Sequence, residues 1–177
     1  MHLSKIGLLS DSHGRAATTR RAVEVLLEAG AQSLLHLGDV GSVEVIDELV
    51  VGPVDGKAVE VRLVFGNVDW DRASMSQYAT HLGLIVDDPV GRLTLSAEGE
   101  VKSGRELIFL HGDDAQAMAA ALEAKPAYLC HGHSHRPRDE RNGPTRIINP
   151  GALFRAQSYT VALLDTETDE LKFFPVE

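Results

Sequence analysis

The chain has 177 residues, 44% of them apolar and 24% charged, proportions that suit a soluble globular domain with a sizeable core. A formal net charge of −9 repels nucleic-acid backbones, so no nucleic-acid scaffold binding is expected, although a bound metal pair would reverse the field locally and admit a phosphate substrate. The one cysteine, Cys130, excludes an intrachain disulfide and a thiolate zinc cage, and no apolar run reaches the length of a signal peptide or membrane span, so a cytoplasmic protein is expected.

Residues 6–10 read as a buried strand, being short, apolar and followed at once by a polar turn. Residues 18–29 read as a helix, with Val23, Leu26 and Leu27 at helical spacing and Gly30 as a stop. A second buried strand follows at 33–37, then a short helix at 43–50 with Ser42 as N-cap, then a third strand at 60–65. This β-α-β-α-β order implies a mostly parallel sheet with helices on its faces. The second half is richer in strands. Residues 84–87 and 92–97 alternate as strands do and suggest a hairpin, the candidate for a cap over a site. Residues 107–110 and 127–130 read as buried strands around an alanine-rich helix at 115–123. Closing strands are expected at 147–148, 159–164 and 171–174, so a second sheet should pack on the first. No repeat or linker divides the chain, and one domain over 1–177 is expected.

Five of these strands run into residues of metal-ligand type. They are followed by Asp11-Ser12-His13-Gly14, Gly38-Asp39, Gly66-Asn67-Val68-Asp69, His111-Gly112 and His131-Gly132-His133-Ser134-His135. In open α/β sheets, ligand sites lie beyond the carboxyl ends of the strands. Carboxylate and amide oxygens with imidazole nitrogens, and no thiolate, suit Mn²⁺, Fe²⁺, Co²⁺, Ni²⁺ or Zn²⁺ better than Ca²⁺ or Mg²⁺. Seven protein ligands are too many for one open catalytic ion. Shared through a bridging carboxylate, they suffice for two ions roughly 3.5–4 Å apart that activate a water between them.

Several neighbours have plainer roles. His131 and His36 read as structural residues beside the site, and His2 and His81 as surface residues. Cys130 reads as a small core residue. Arg15 either meets a substrate phosphate or is a solvated helix-start arginine. Asn149 either orients a ligand or opens the turn before Pro150.

The order Asp-x-His, Gly-Asp, Gly-Asn, His, Gly-His-x-His resembles the calcineurin-like metallophosphoesterases. The short chain, Gly66-Asn67-Val68-Asp69 and Asn149-Pro150-Gly151 look like the YfcE-type small phosphodiesterases, and the likeness runs from Asp11 to Gly151. It implies a four-layer α-β-β-α sandwich of two mixed sheets flanked by helices. It implies that Asp11, His13 and His135 bind a first metal, Asn67, His111 and His133 a second, and that Asp39 bridges the two. The ions are expected to be Mn²⁺, with Fe, Zn, Ni or Co as alternatives. The implied activity is hydrolysis of phosphodiesters and activated phosphomonoesters by a metal-bridging hydroxide, with Asn67 at the reacting centre and Asp69 orienting Asn67 or a water.

One position departs from the pattern. Val68 stands where many relatives carry a histidine near the leaving group, and valine can neither donate a proton nor bond a phosphoryl oxygen. General acid catalysis is worth roughly 10²–10⁴-fold, so activated aryl esters should suffer least from its absence. The alternatives are a non-catalytic scaffold or interaction module on the same fold, and a dinucleotide-polyphosphate or protein-phosphate hydrolase, whose members usually keep that histidine. A small phosphoester substrate and no membrane are expected, and a homo-oligomer is left open.

Overall fold

A computed structural model of the protein describes residues 4–95 and 104–177. In its first half, β1 (Lys5–Leu9), α1 (Ala16–Glu28), β2 (Ser33–Leu37), α2 (Val43–Glu48) and β3 (Glu60–Val64) alternate, and the three strands pair in parallel. Then follow α3 (Arg72–His81), β4 (Ile85–Val86), β5 (Val90–Leu95), β6 (Arg105–Leu110), α4 (Ala115–Glu123) and β7 (Tyr128–His131). The chain closes with β8 (Arg138–Asn142), β9 (Thr145–Asn149), β10 (Thr160–Asp165) and β11 (Glu170–Pro175). Two mixed sheets result, ordered β11-β10-β1-β2-β3-β4 and β5-β6-β7-β9-β8.

Alternation along the strands makes the layers. Ile6 and Leu8 of β1, Leu35 and Leu37 of β2, Leu107 and Phe109 of β6, and Tyr128 and Cys130 of β7 fill the space between the sheets. The opposite face of the first sheet, through Leu9, Leu34 and Leu63, packs on Val23, Leu26, Ile46 and Met75 from α1, α2 and α3. Ile108, Leu110 and Leu129 pack the outer face of the second sheet on Ala121 of α4. The order is therefore α-β-β-α, the four-layer sandwich expected from the sequence. Each aliphatic side chain fully buried this way stabilises by roughly 1.5–3 kcal/mol. Cys130 lies wholly inside the inter-sheet core, and burial pushes its thiol up to about 12.

Three features differ from expectation. Residues 84–97 do not form a hairpin: β4 pairs in parallel with β3 in the first sheet, while β5 pairs antiparallel with β6 in the second. Neighbouring strands in sequence are here divided between sheets, so this segment supplies no cap; residues 96–97 lie outside the described residues. The helix α3 buries only Met75 and Ala79 and shows no apolar stripe; Asp71 caps it by accepting from the Ser74 amide at 3.2 Å. Of the expected closing strands, β10 and β11 return to the first sheet beside β1, and only β9 joins the second, where it pairs with the charged edge strand β8. Among the described residues, no helix is long and apolar enough to cross a membrane.

Candidate metal centre

Within each sheet the strands that carry the ligand-type residues run in parallel, β1, β2 and β3 in one and β6 and β7 in the other. Their carboxyl ends meet across the sandwich. One atom each of Asp11, His13, Asp39 and His135 lie within 4.8 Å of one another. His13 Nε2 is 3.3 Å from His135 Nε2 and 3.2 Å from Asp39 Oδ2, and His135 Nε2 is 3.3 Å from Asp11 Oδ1. On the other side of Asp39, its Oδ1 lies 3.3 Å from His111 Nε2, which is also 3.3 Å from Asn67 Oδ1. The His133 ring stands 5.1 Å from that of His111. The two oxygens of Asp39 thus face two separate groups of donors. All seven residues singled out in the sequence come together, Asp11 and Asp39 buried, His13 and His135 half-buried, Asn67 and His133 exposed at the mouth.

The backbone takes an uncommon shape to do this. Asp11, His13, Asp39, His133 and His135 all have φ between 45° and 65°, in the left-handed region. Asp and His enter that region more readily than most side chains, but each such residue still costs of order 1–3 kcal/mol. Gly38, at φ 92°, shows the crowding: a Cβ there would lie 2.5 Å from His111 Nδ1.

Side chains around the donors fix their orientation. Ser10 Oγ donates to Asp11 Oδ2 at 2.6 Å and the His133 amide donates to the same oxygen at 3.1 Å, which leaves Oδ1 for the centre. His111 Nδ1 lies 2.8 Å from the Leu37 carbonyl, a contact that needs the proton on Nδ1 and turns Nε2 toward Asp39 and Asn67. Asp69 accepts from the amides of Gly66 at 2.8 Å and Val40 at 3.1 Å through Oδ2, and from Gly41 at 2.7 Å through Oδ1. It therefore ties the loop after β2 to the loop after β3. Asn149 is fully buried; its Nδ2 donates to the Gly132 carbonyl at 2.7 Å and its Oδ1 accepts from Gly151 at 2.9 Å, holding the loop that carries His133 and His135. His36 Nε2 meets Ser12 Oγ at 2.8 Å, and Thr19 Oγ1 lies 2.9 Å from the same hydroxyl, so this buried chain braces the turn between Asp11 and His13. His131 packs at 3.0 Å from the Gly132 carbonyl and is buried. His81 is exposed, and His2 lies outside the described residues.

The electrostatics call for cations. Burial pushes the Asp11 carboxyl above its ordinary range, against the Ser10 hydrogen bond that opposes it. Burial likewise depresses the His13 imidazole. For Asp39 the burial effect is outweighed by the hydrogen bond and charge of His111 and by the Val68 amide, so its carboxyl sits below the usual range. Asp11 Oδ1 is buried and accepts no hydrogen bond. A buried carboxylate oxygen without a donor is costly, and divalent ions between these oxygens and imidazole nitrogens would satisfy it. The residues therefore fit divalent metal ions.

Sequence reasoning missed Phe154. Its ring centroid lies 5.1 Å from that of His13, with the guanidinium carbons of Arg15 and Arg155 4.8 Å and 5.0 Å from its centroid. Phe154 sits in the loop between β9 and β10, where no periodic or motif signal marks it.

The calcineurin-like phosphoesterase superfamily domain matches residues 5–169. Over 178 residues the chain is 24% identical to a phosphodiesterase of Methanocaldococcus jannaschii, covering 98% of this chain and 99% of the relative. A solved archaeal phosphodiesterase superposes with a TM-score of 0.79 at 23% identity, covering 97% of this chain and 99% of the other. The phosphoesterase YfcE of E. coli superposes at 0.63 with 21% identity, covering 98% and 100%. Vps29 of Entamoeba histolytica, solved as a zinc complex, does so at 0.62 with 17% identity, covering 97% and 91%.

Proposed function

The chain belongs to the calcineurin-like phosphoesterase superfamily, and from that premise we propose that it is a two-metal hydrolase of phosphodiesters and activated phosphomonoesters. The observation that carries this is the division of donors around Asp39, whose two oxygens face His13 on one side and His111 on the other. On this reading Asp11, His13 and His135 hold one ion, Asn67, His111 and His133 hold the other, and Asp39 serves both. Mn²⁺ is the proposed ion, with Fe, Zn, Ni and Co also compatible with this donor set. When bound, such ions supply charge for the phosphoryl oxygens and a water acidic enough to attack near neutral pH.

The protein's own part is placement. Ser10 and the His133 amide aim Asp11, the Leu37 carbonyl sets the His111 tautomer, and the Val68 amide donates to Asp39 Oδ1 at 3.1 Å. Asn67 offers its amide at the open mouth. Asp69 acts at one remove, since its oxygens are engaged by backbone amides. The Val68 side chain moves no proton, so the leaving group must depart with little help. This favours aryloxides and other weakly basic leaving groups.

The test is turnover of nitrophenyl phosphate and bis-nitrophenyl phosphate with added Mn²⁺, in the wild type and in Asp39→Asn. The variant is expected to lose at least about 10²-fold in kcat, the scale of removing one electrostatic stabiliser. Equal rates in the two proteins reject the site. A second reading, a non-catalytic interaction module, has one observation in its favour: Trp70, one residue beyond Asp69, is 91% exposed. A purified protein that binds no metal and travels with a stoichiometric partner chain would favour it.

A further inference from the structure

Arginine pairing in this molecule is uneven. Of twelve arginines in the chain, eight form ion pairs with carboxylates. Arg105 is held by the Tyr128 hydroxyl and the Thr166 carbonyl. Among the described residues, the remaining three, Arg15, Arg136 and Arg155, are exposed, and their guanidiniums have neither a carboxylate nor a hydrogen-bond partner. All three stand on one rim of the metal centre. Arg15 and Arg155 both lie against the Phe154 ring, which is 5.1 Å from the His13 ring. Arg136 follows His135 directly, and with Arg155 it lines a cavity of about 720 Å³ that has His135 on its wall.

An exposed arginine needs no explanation by itself, because water solvates it. Three together, in a chain with 26 acidic residues against 17 basic ones, are a different matter. Carboxylates have found nearly every other arginine. Holding two guanidiniums against one aromatic ring brings like charges close, which is unfavourable until an anion sits between them. Guanidinium forks match phosphate oxygens in geometry as well as charge.

We propose that this rim is a second phosphate subsite, so that the preferred substrate is a phosphodiester carrying a further phosphate group beyond the scissile one. Arg15 and Arg155, braced by Phe154, grip that phosphate, and Arg136 closes the cavity beside it. The assignment rests on the hydrolytic reading above, which supplies the scissile ester, but it can be tested separately.

Two chromogenic probes serve: the nitrophenyl ester of thymidine 5′-phosphate, and the same ester bearing a 3′-phosphate. Both lose the same nitrophenol from the same diester. With Mn²⁺ the wild type is expected to show a kcat/KM about tenfold higher for the doubly phosphorylated probe, expressed in KM, the order of a charge-assisted contact weakened by solvent. In Arg15→Ala/Arg155→Ala the ratio should fall close to unity. Arg92→Ala, at an exposed arginine of β5, should keep it. A wild-type ratio near unity, or a ratio that survives in the double variant, overturns the proposal. If neither probe is hydrolysed, the hydrolytic reading fails on its own account and the rim is judged by binding. Calorimetry of the protein as purified should then show thymidine 3′,5′-bisphosphate binding about tenfold tighter than thymidine 5′-phosphate, a preference lost in the double variant. Equal affinities for the two nucleotides overturn the subsite.

Discussion

Asp69 shows how a residue outside the candidate ligand set can govern it. Both of its oxygens are engaged by amides of the two loops that present Asp39 and Asn67. Asp69→Ala would leave three amides without an acceptor, at about 1–3 kcal/mol for each that water cannot reach. Loosening the loops should also weaken metal affinity by about 10–100-fold, as loss of a supporting contact around a metal site does. Metal titration of the variant against the wild type measures this, and an unchanged affinity would remove Asp69 from the support of the site. His36 makes a different prediction. Burial pushes its imidazole down to about 3 from 6.5. The folded protein therefore keeps it neutral while the unfolded chain takes up a proton. Its contribution is intact above pH 6.5 and is lost progressively as the pH falls from 6.5 towards 3. Unfolding midpoints between pH 7 and pH 5 should fall more steeply in the wild type than in His36→Gln; parallel slopes would contradict this. The candidate ligands were legible because each strand end couples a ligand-type side chain to a glycine or a second ligand. The left-handed backbone at five of them was not, since Asp and His signal tolerance of that conformation and never demand for it.

At the level of elements, the end of the sandwich remote from the metal centre has its own tie. Arg146 of β9 pairs with Asp139 of β8 at 2.7 Å and with Asp169 of the β10–β11 turn at 3.0 Å, and the Tyr128 hydroxyl of β7 donates to Asp169 at 2.9 Å. The second sheet is thereby joined to the first. Arg146→Met should cost about 1 kcal/mol at pH 7, the low end for charged contacts because both carboxylates are more than a third exposed. The Arg146 hydrogen bond holds the Asp139 carboxyl below 3.8, so this contribution is present above pH 3.8 and fades as the pH falls below it. Urea midpoints of the two proteins should accordingly differ at pH 7 and converge under acid, with metal binding unaltered. Buried strands such as β2 and β7 were legible because unbroken apolar runs ending in polar turns have few other uses. By contrast, α3 and β8 were not, because RASMSQYATH and RDERN turn mostly polar faces outward and carry little periodicity. The expected hairpin failed because closeness in sequence favours pairing, whereas burial of β4 beside β3 and of β5 beside β6 satisfied both strands separately. Phe154 and Arg155 joined the site from a connecting loop, where only tertiary structure could place them.

For the whole molecule, the proposed centre takes donors from both sheets: Asp11, His13, Asp39 and Asn67 follow strands of the first, and His111, His133 and His135 follow strands of the second. Ions held there would oppose separation of the layers. At free metal about 100 times Kd, binding to the folded state alone adds about 2.7 kcal/mol. Thermal melts should therefore rise with Mn²⁺ in the wild type, fall with a chelator, and respond weakly in Asp39→Asn. A wild-type Tm indifferent to both additions would count against the centre. Cys130 turns this into a measurement of rate. It is the chain's sole thiol, and it is fully buried in the core between the sheets. A bulky disulfide reagent can reach it only when the layers part, so each labelled molecule records one opening event. The protein carries its own clock for sandwich opening, and added metal should slow that clock.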